Sequence, residues 1–418
     1  MAHILMIESW VGASGNLMPP LLRSLGHTYT FVTRKPKHYQ SALSAGKHTV
    51  FLHADSVLVT ETNNIQELTE FLKPYHFDGV ITVCDYYIET VKEVAKAFNL
   101  PCPFPEEVKA VRQKHLLRQA LDKAGLANPK YRLVYNWSEA EKAADEIGYP
   151  LVIKPVDLAS SAFVRFVQTV EELRDAYSKL EAFPLNFREQ KRNCACLLEE
   201  FMIGDEISVE SISYNGETTI IGITDKSITG TPYFIEDGHM FPARLSEDTS
   251  GTVTKYVGDA LKSAGFNHGI AHTEVKLTVE GPRIVEINPR PAGNYIVELI
   301  ELVTGINLLH AFIELSIGNK PTIAAKEGDV TSAAVKFLVP SQGGTINQIQ
   351  GVESLDADEH VVRYKIENCM GKSIDPPIDN ACYLGHVITR DDEGLQARTY
   401  AEEALSRIII SFDNRGAL

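Results

Sequence analysis

The stretch that decides the fold is His268-Gly-Ile-Ala-His272-Thr-Glu274-Val-Lys-Leu-Thr-Val-Glu280-Gly281-Pro282-Arg-Ile-Val-Glu286-Ile-Asn288-Pro-Arg290-Pro-Ala-Gly293. Two strands flank a Glu-Gly-Pro turn, and with the turn centred on Glu280 the residues Glu274 and Glu286 become cross-strand neighbours. Directly opposed Cβ atoms lie roughly 4.5–5.5 Å apart, and like charges there are destabilising unless something offsets them. A divalent cation does so. Asn288 shares the face of Glu286 and adds a neutral oxygen. Three hard oxygen donors with room left for phosphate oxygens suit Mg²⁺, and Arg290 aims a fork of donors into the same space. The alternative is a hairpin whose glutamates face solvent, and a one-residue change of register puts 274 and 286 on opposite faces.

Upstream of this hairpin, Val253, Tyr256, Val257, Ala260, Leu261 and Ala264 form a stripe at helical spacing. Residues 196–224 read as antiparallel strands with Asn215-Gly216 as the turn. At the N-terminus, residues 3–7, 28–33 and 79–83 are apolar strands separated and followed by helical stretches, which implies an open parallel α/β domain. Pro101, Pro103 and Pro105 mark a boundary. A helix is predicted over 108–124, then strand, helix and strand ending at Pro150-Leu-Val-Ile-Lys154. After Pro321, short strands at 331–338, 361–366 and 382–389 precede a final helix near 395–409.

The chain has 418 residues, 44% hydrophobic and 23% charged, with a net charge of −15. That balance argues against a bulk electrostatic grip on nucleic acid or an anionic membrane. The opening apolar run, Met1 to Ile7, is too brief for a signal-peptide core or a membrane span, so a cytoplasmic location is expected. Cys84, Cys102, Cys194, Cys196, Cys369 and Cys382 read as reduced thiols, and their spacing gives no zinc site.

Lys154 ends an apolar strand beside a loop of small residues containing Ser160 and Ser161. Small side chains let backbone amides and hydroxyls approach phosphate oxygens, although no Walker A motif is present and a snorkelling lysine reads equally well. Glu199-Glu200-Phe201-Met202-Ile203-Gly204-Asp205-Glu206 is a strand breaking into a connector. Backbone groups freed there can read the edge of a planar base, and Glu206 can accept both hydroxyls of a ribose. Lys114 alone reads as a solvated helix residue. Gly12-Ala-Ser-Gly15 prompts a dehydrogenase reading, but Gly-x-Gly-x-x-Gly is missing.

In their order along the chain, these pieces resemble the ATP-grasp superfamily of carboxylate–amine ligases. The resemblance implies an α/β and α+β architecture: a pre-ATP-grasp Rossmann-like domain over 1–104, a lid subdomain over 105–196, a nucleotide- and metal-binding subdomain over 197–329, and a C-terminal α+β lobe over 330–418. By it, Lys114 and Lys154 contact the ATP phosphates, Ser160 and Ser161 belong to the loop over them, Glu200 and Met202 present backbone groups to adenine with Glu199 and Phe201 in the same hinge, and Glu206 holds the ribose. Glu274, Glu286 and Asn288 would bind two Mg²⁺, with Mn²⁺ as a substitute. The serine loop departs from the glycine-rich form common in the superfamily.

Asn288-Pro-Arg290-Pro-Ala-Gly293 and Glu236-Asp-Gly-His239-Met-Phe-Pro242 are similar to the L-amino-acid ligases that form dipeptides. The resemblance implies that Glu236 and His239 line the amino-acid site, that Arg290 faces the reacting carboxylate, and that Lys226 reaches the transferred phosphate, a solvated lysine being the alternative. It further implies two amino-acid substrates, an acyl phosphate on the way to a dipeptide, no nucleic-acid or membrane partner, and a homodimer. The competing readings are another ATP-grasp ligase, biotin-carboxylase-like or of the purine pathway, and a non-catalytic nucleotide-binding protein.

Overall fold

The computed structural model describes residues 1–40, 47–230, 233–326 and 328–413. Near the N-terminus, His3–Ile7, Thr28–Thr33, Ser56–Val59 and Gly79–Ile81 form a parallel sheet in which the first strand lies between the second and the fourth. Ile4, Leu5, Met6 and Ile7 are all buried. Uninterrupted burial of this kind is what a parallel strand covered on both faces requires. Ser56–Val59, which the sequence reading does not single out, is the edge strand, and its side chains are mostly exposed.

The helix expected over 108–124 is two helices, Val108–Arg112 and Lys114–Lys123, broken where Gln113 is extended at φ −87° and ψ 110°. Tertiary contacts override helical continuity there: Lys114 N–H donates to Val156 O at 3.3 Å and its ammonium to Leu158 O at 3.2 Å. Lys114 is therefore buried, not a solvated helix residue.

Beyond the break, Tyr131–Val134, Cys196–Glu200, Leu151–Pro155 and Arg165–Val167 form an antiparallel sheet in that spatial order. Helices Trp137–Ile147 and Val170–Glu181 pack on it through Ala140, Ala144, Leu173 and Leu180.

The largest sheet has eight antiparallel strands in the order Gly281–Asn288, Gly269–Thr278, Asp205–Tyr214, Glu217–Thr229, Ile235–Phe241, Ser332–Phe337, Gly385–Asp391 and Val361–Ile366. The last three strands thus extend the same sheet that carries the decisive hairpin. The expected stripe on helix Glu247–Ser263 is buried against Val209, Val275, Ile284 and Ile287, each fully buried aliphatic chain contributing about 1.5–3 kcal/mol. Ser246 caps that helix by accepting from Thr249 N–H at 3.2 Å.

The final helix is shorter than expected, Ala397–Ser406. After it the β-branched run Ile408-Ile-Ile leads into strand Ile409–Phe412, which pairs with Gly344–Gln350. Among the described residues no single helix is long and apolar enough to cross a membrane, and helices Ile296–Thr304 and Leu308–Ser316 meet at a 106° bend.

Candidate active site

The three sheets and the segment after Gly281–Asn288 enclose a cavity of about 750 Å³. Its floor is the decisive hairpin, where Glu274 pairs with Glu286 and His272 with Asn288. The turn is centred half a residue earlier than the sequence reading placed it, because Thr278 pairs with Gly281 around Val279-Glu280. The ladder then slips between Glu274 and Val275, leaving Val285 as an extra residue. This bulge lets Ile284 and Ile287 both enter the helical core while Glu286 and Asn288 face the cavity.

Arg118 holds the bulge. It is 0% exposed and donates to the carbonyls of Ile284 at 2.7 Å and Val285 at 3.1 Å. The same guanidinium grips both oxygens of Glu199, at 2.6 and 3.1 Å, and Glu199 lies 2.6 Å from Lys154. Burial pushes the Glu199 carboxyl up, but Arg118 and Lys154 outweigh it and hold the group at about 2. Glu199 therefore spends its carboxylate tying the second sheet to the hairpin.

Glu274 and Glu286 have cationic partners already in place. Lys114 Nζ is 2.7 Å from Glu286, and Asn288 donates to Glu286 at 2.8 Å. Burial raises the Glu286 carboxyl, Lys114 and Asn288 lower it, and the balance is about 2. Lys226, whose side chain is fully buried, lies 2.8 Å from Glu274, 3.0 Å from Glu206 and 3.2 Å from Glu236. It sits behind the cavity wall and offsets part of the charge of three carboxylates, so its charge reaches the cavity through them. His272 bridges Glu210 at 2.7 Å and Glu274 at 3.3 Å.

Among the described residues no group of three or more His, Cys, Asp or Glu side chains gathers as a metal cluster. The candidate cage is two carboxylates and an amide, all oxygen donors facing the cavity. That donor set fits Mg²⁺, which takes one or two protein carboxylates and completes its shell with phosphate and water.

The connector after Cys196–Glu200 brings Glu200, Phe201, Met202 and Glu206 to the cavity wall. Phe201 N–H is engaged by Pro150 O at 3.4 Å. Ser160, Ser161 and Phe163 all have φ of 55–60°. Glycine adopts that region freely and other residues at a cost. The serine loop thus takes a backbone form suited to glycine without containing any, and both serines face the cavity.

At the other end, Glu236 accepts from Asn294 at 2.7 Å and lies 3.3 Å from His239. His239 is 0% exposed and stands behind Glu236 instead of lining the cavity; burial lowers its pKa. Arg290 donates through Nε to Asp85 at 2.8 Å, and Trp10 Nε1 donates to the same oxygen at 3.0 Å.

Sequence reasoning missed Arg118, Asp85, Asn294 and Trp10. Asp85 had a findable signal, since it follows the C-terminal end of strand Gly79–Ile81, and the carboxyl ends of parallel strands are where such sheets bind ligands.

The ATP-grasp domain family matches residues 147–298. The L-amino acid ligase C-terminal domain 2 family matches residues 336–413, so the chain carries an ATP-grasp domain and an L-amino acid ligase C-terminal domain. Over 307 residues it is 24% identical to alanine–anticapsin ligase of Bacillus subtilis (strain 168), covering 69% of this chain and 64% of that one. Over 342 residues it is 24% identical to carnosine synthase 1 of Homo sapiens, covering 77% of this chain and 40% of that one. The crystal structure of an L-amino acid ligase from Bacillus licheniformis superposes with a TM-score of 0.80 at 22% identity over 99% of both chains. That likeness shows a shared fold.

Proposed function

We propose that this chain is an ATP-dependent ligase that joins the carboxylate of one L-amino acid to the amine of another, releasing a dipeptide, ADP and phosphate. One observation carries the reading. A single cavity holds Lys114, Lys154 and the opposed carboxylates at one end, and Arg290 and Glu236 at the other. The names of two relatives, alanine–anticapsin ligase and carnosine synthase 1, point the same way.

A carboxylate is a poor electrophile, so activation comes first. Lys114 and Lys154 bind the triphosphate, Ser160 and Ser161 close over it, the Met202 amide reads the adenine edge beside Glu200 and Phe201, and Glu206 accepts the ribose hydroxyls. Glu274, Glu286 and Asn288 would hold Mg²⁺, two ions or Mn²⁺ in its place, which when bound offsets phosphoryl charge. The first amino acid enters with its ammonium at Glu236, which His239 and Asn294 orient. Its carboxylate takes the γ-phosphate while the lysines balance the charge spreading over the phosphoryl oxygens.

The second amine attacks the acyl phosphate carbon. Arg290, fixed by Asp85, stabilises the oxyanion that forms; the C–O bond breaks, phosphate leaves with its electron pair, and the proton the amine sheds goes to the departing phosphate. Burial keeps water from the acyl phosphate. The proposal extends to a homodimeric, cytoplasmic enzyme, which sedimentation and fractionation test. The activity test is phosphate release across amino-acid pairs with ATP and Mg²⁺, with product masses measured. Release with bicarbonate but with no amino-acid pair assigns the chain to a carboxylase-type ATP-grasp reaction instead.

A further inference from the structure

Between helix Val170–Glu181 and strand Cys196–Glu200 the chain makes an excursion that ends in the N-terminal domain. Its base is rigid. Arg192 is buried and donates to the carbonyls of Leu180 at 3.2 Å and Phe183 at 2.5 Å. Asn186 Oδ1 accepts from the amides of Arg188 and Gln190, at 2.9 and 3.0 Å, folding the tip into a tight turn. Phe183 packs on Phe163 of the serine loop with ring centroids 4.7 Å apart, so the excursion is in contact with the loop beside the phosphate end.

The tip is gripped hard. Arg188 is 4% exposed and donates to Ser9 O at 2.7 Å, with Trp10 and Tyr39 rings 5.8 and 5.3 Å from its guanidinium. Its Nη1 is buried without a hydrogen-bond partner. Burying a guanidinium against rings at that cost calls for a return. Its carbonyl accepts from Arg34 at 3.1 Å and Asn63 at 2.9 Å. Glu189 pairs with Arg34 and Lys35, and Gln190 donates to Tyr86 O at 3.0 Å.

What Arg188 touches is the scaffold of Arg290. Ser9 and Trp10 are consecutive, and the Trp10 indole N–H and Arg290 Nε share one oxygen of Asp85, at 3.0 and 2.8 Å. We infer that Arg188 and Trp10 are positioning residues for Arg290: docking of the 183–193 excursion fixes Trp10, Trp10 fixes Asp85, and Asp85 aims the guanidinium. The lobe that carries Lys154 and the serine loop thereby reports its docking to the opposite end of the cavity, where the amine is to attack. The inference rests on the role proposed for Arg290.

The chain has two tryptophans. Trp137 packs on Tyr177 and Arg174, away from the cavity, so Trp137→Phe leaves Trp10 as a single emission reporter with activity retained. In that background Arg188→Met is expected to shift Trp10 emission and to lower the kcat of dipeptide formation by at least about ten-fold, a misplacement effect, with ATP affinity within about two-fold of the parent. Glu189→Gln, a surface change that spares folding, gives a smaller shift and a smaller loss in the same direction. Trp10→Phe keeps the ring but removes the N–H to Asp85; combined with Arg188→Met it is expected to cost no more than the worse single change.

Additive losses in the double variant, or an emission shift with unchanged kcat, overturn the inference. A parent enzyme that releases no phosphate with any amino-acid pair instead sinks the ligase reading. The emission response to Arg188→Met and Glu189→Gln still reports docking in that case, and an unchanged emission there overturns the docking step itself.

Discussion

Lys114 Nζ lies 2.7 Å from Glu286 Oε2, so a phosphate-binding candidate and a metal-binding candidate neutralise each other before any ligand arrives. Under the proposed function, nucleotide and cation exchange for this pair together. Lys114→Met is therefore expected to weaken ATP binding by roughly 10–100-fold, the worth of a charged hydrogen bond, while Glu286→Gln cuts turnover by about 100-fold and moves Mg²⁺ activation to higher concentration. Calorimetric ATP titration and an Mg²⁺ activation curve separate the two, and equal ATP affinity in Lys114→Met and the parent contradicts this assignment.

Arg118 serves four acceptor atoms in two sheets. Removing one partner of a buried ionic cluster typically costs about 3–5 kcal/mol, and Arg118→Met and Glu199→Gln should each fall in that range by urea unfolding. Arg132→Ala, which breaks an exposed pair with Glu146, should cost under about 1 kcal/mol. Similar midpoints for all three variants would show that Arg118 is not the tie described.

Arg290→Ala should lower dipeptide turnover by about 100–1000-fold, the scale of losing an oxyanion donor, with ATP affinity preserved. Asp85→Asn keeps the shape and loosens the aim, so a smaller loss of kcat is expected at similar amino-acid KM. A large drop in ATP affinity for Arg290→Ala would move this residue to the nucleotide end.

Burial lowers His386, the nearby cations Arg363 and Lys365 lower it further, and its pKa falls to about 3. Arg363 Nη1 lies 2.8 Å from His386 Nε2 and can only donate, which fixes the neutral tautomer with that nitrogen as acceptor. The unfolded chain binds this proton near pH 6.5 and the folded one near 3, so the stability is complete above 6.5 and is lost as pH falls toward 3. Between pH 7 and 4.5, before most carboxylates titrate, the parent should lose about 2–3 kcal/mol more than His386→Phe. Parallel stability curves for the two proteins would refute this.

The sequence exposed whatever lies in one run of chain. Glu274, Glu286 and Asn288 were readable because alternation along a hairpin fixes which side chains share a face, and Lys154 because it closes an apolar strand. It hid whatever topology brings together. Asp85 meets Arg290 across 205 residues and Arg118 meets Ile284 across 166, and no local pattern announces either. The break at Gln113 was hidden for the same reason, since Val156 and Leu158 impose it from the segment after strand Leu151–Pro155. Ser160, Ser161 and Phe163 were readable as a loop, but their left-handed backbone was not, because the residue types argue against it.

The single surplus residue at Val285 works as a length compensator. A ribbon with a three-residue tip and an unbroken ladder would keep the same spacing between the two carboxylates and present the same oxygens to an ion. Evolution can thus trade a residue between tip and kink without disturbing the cage, and a gap placed at either spot in a comparison of sequences describes one geometry.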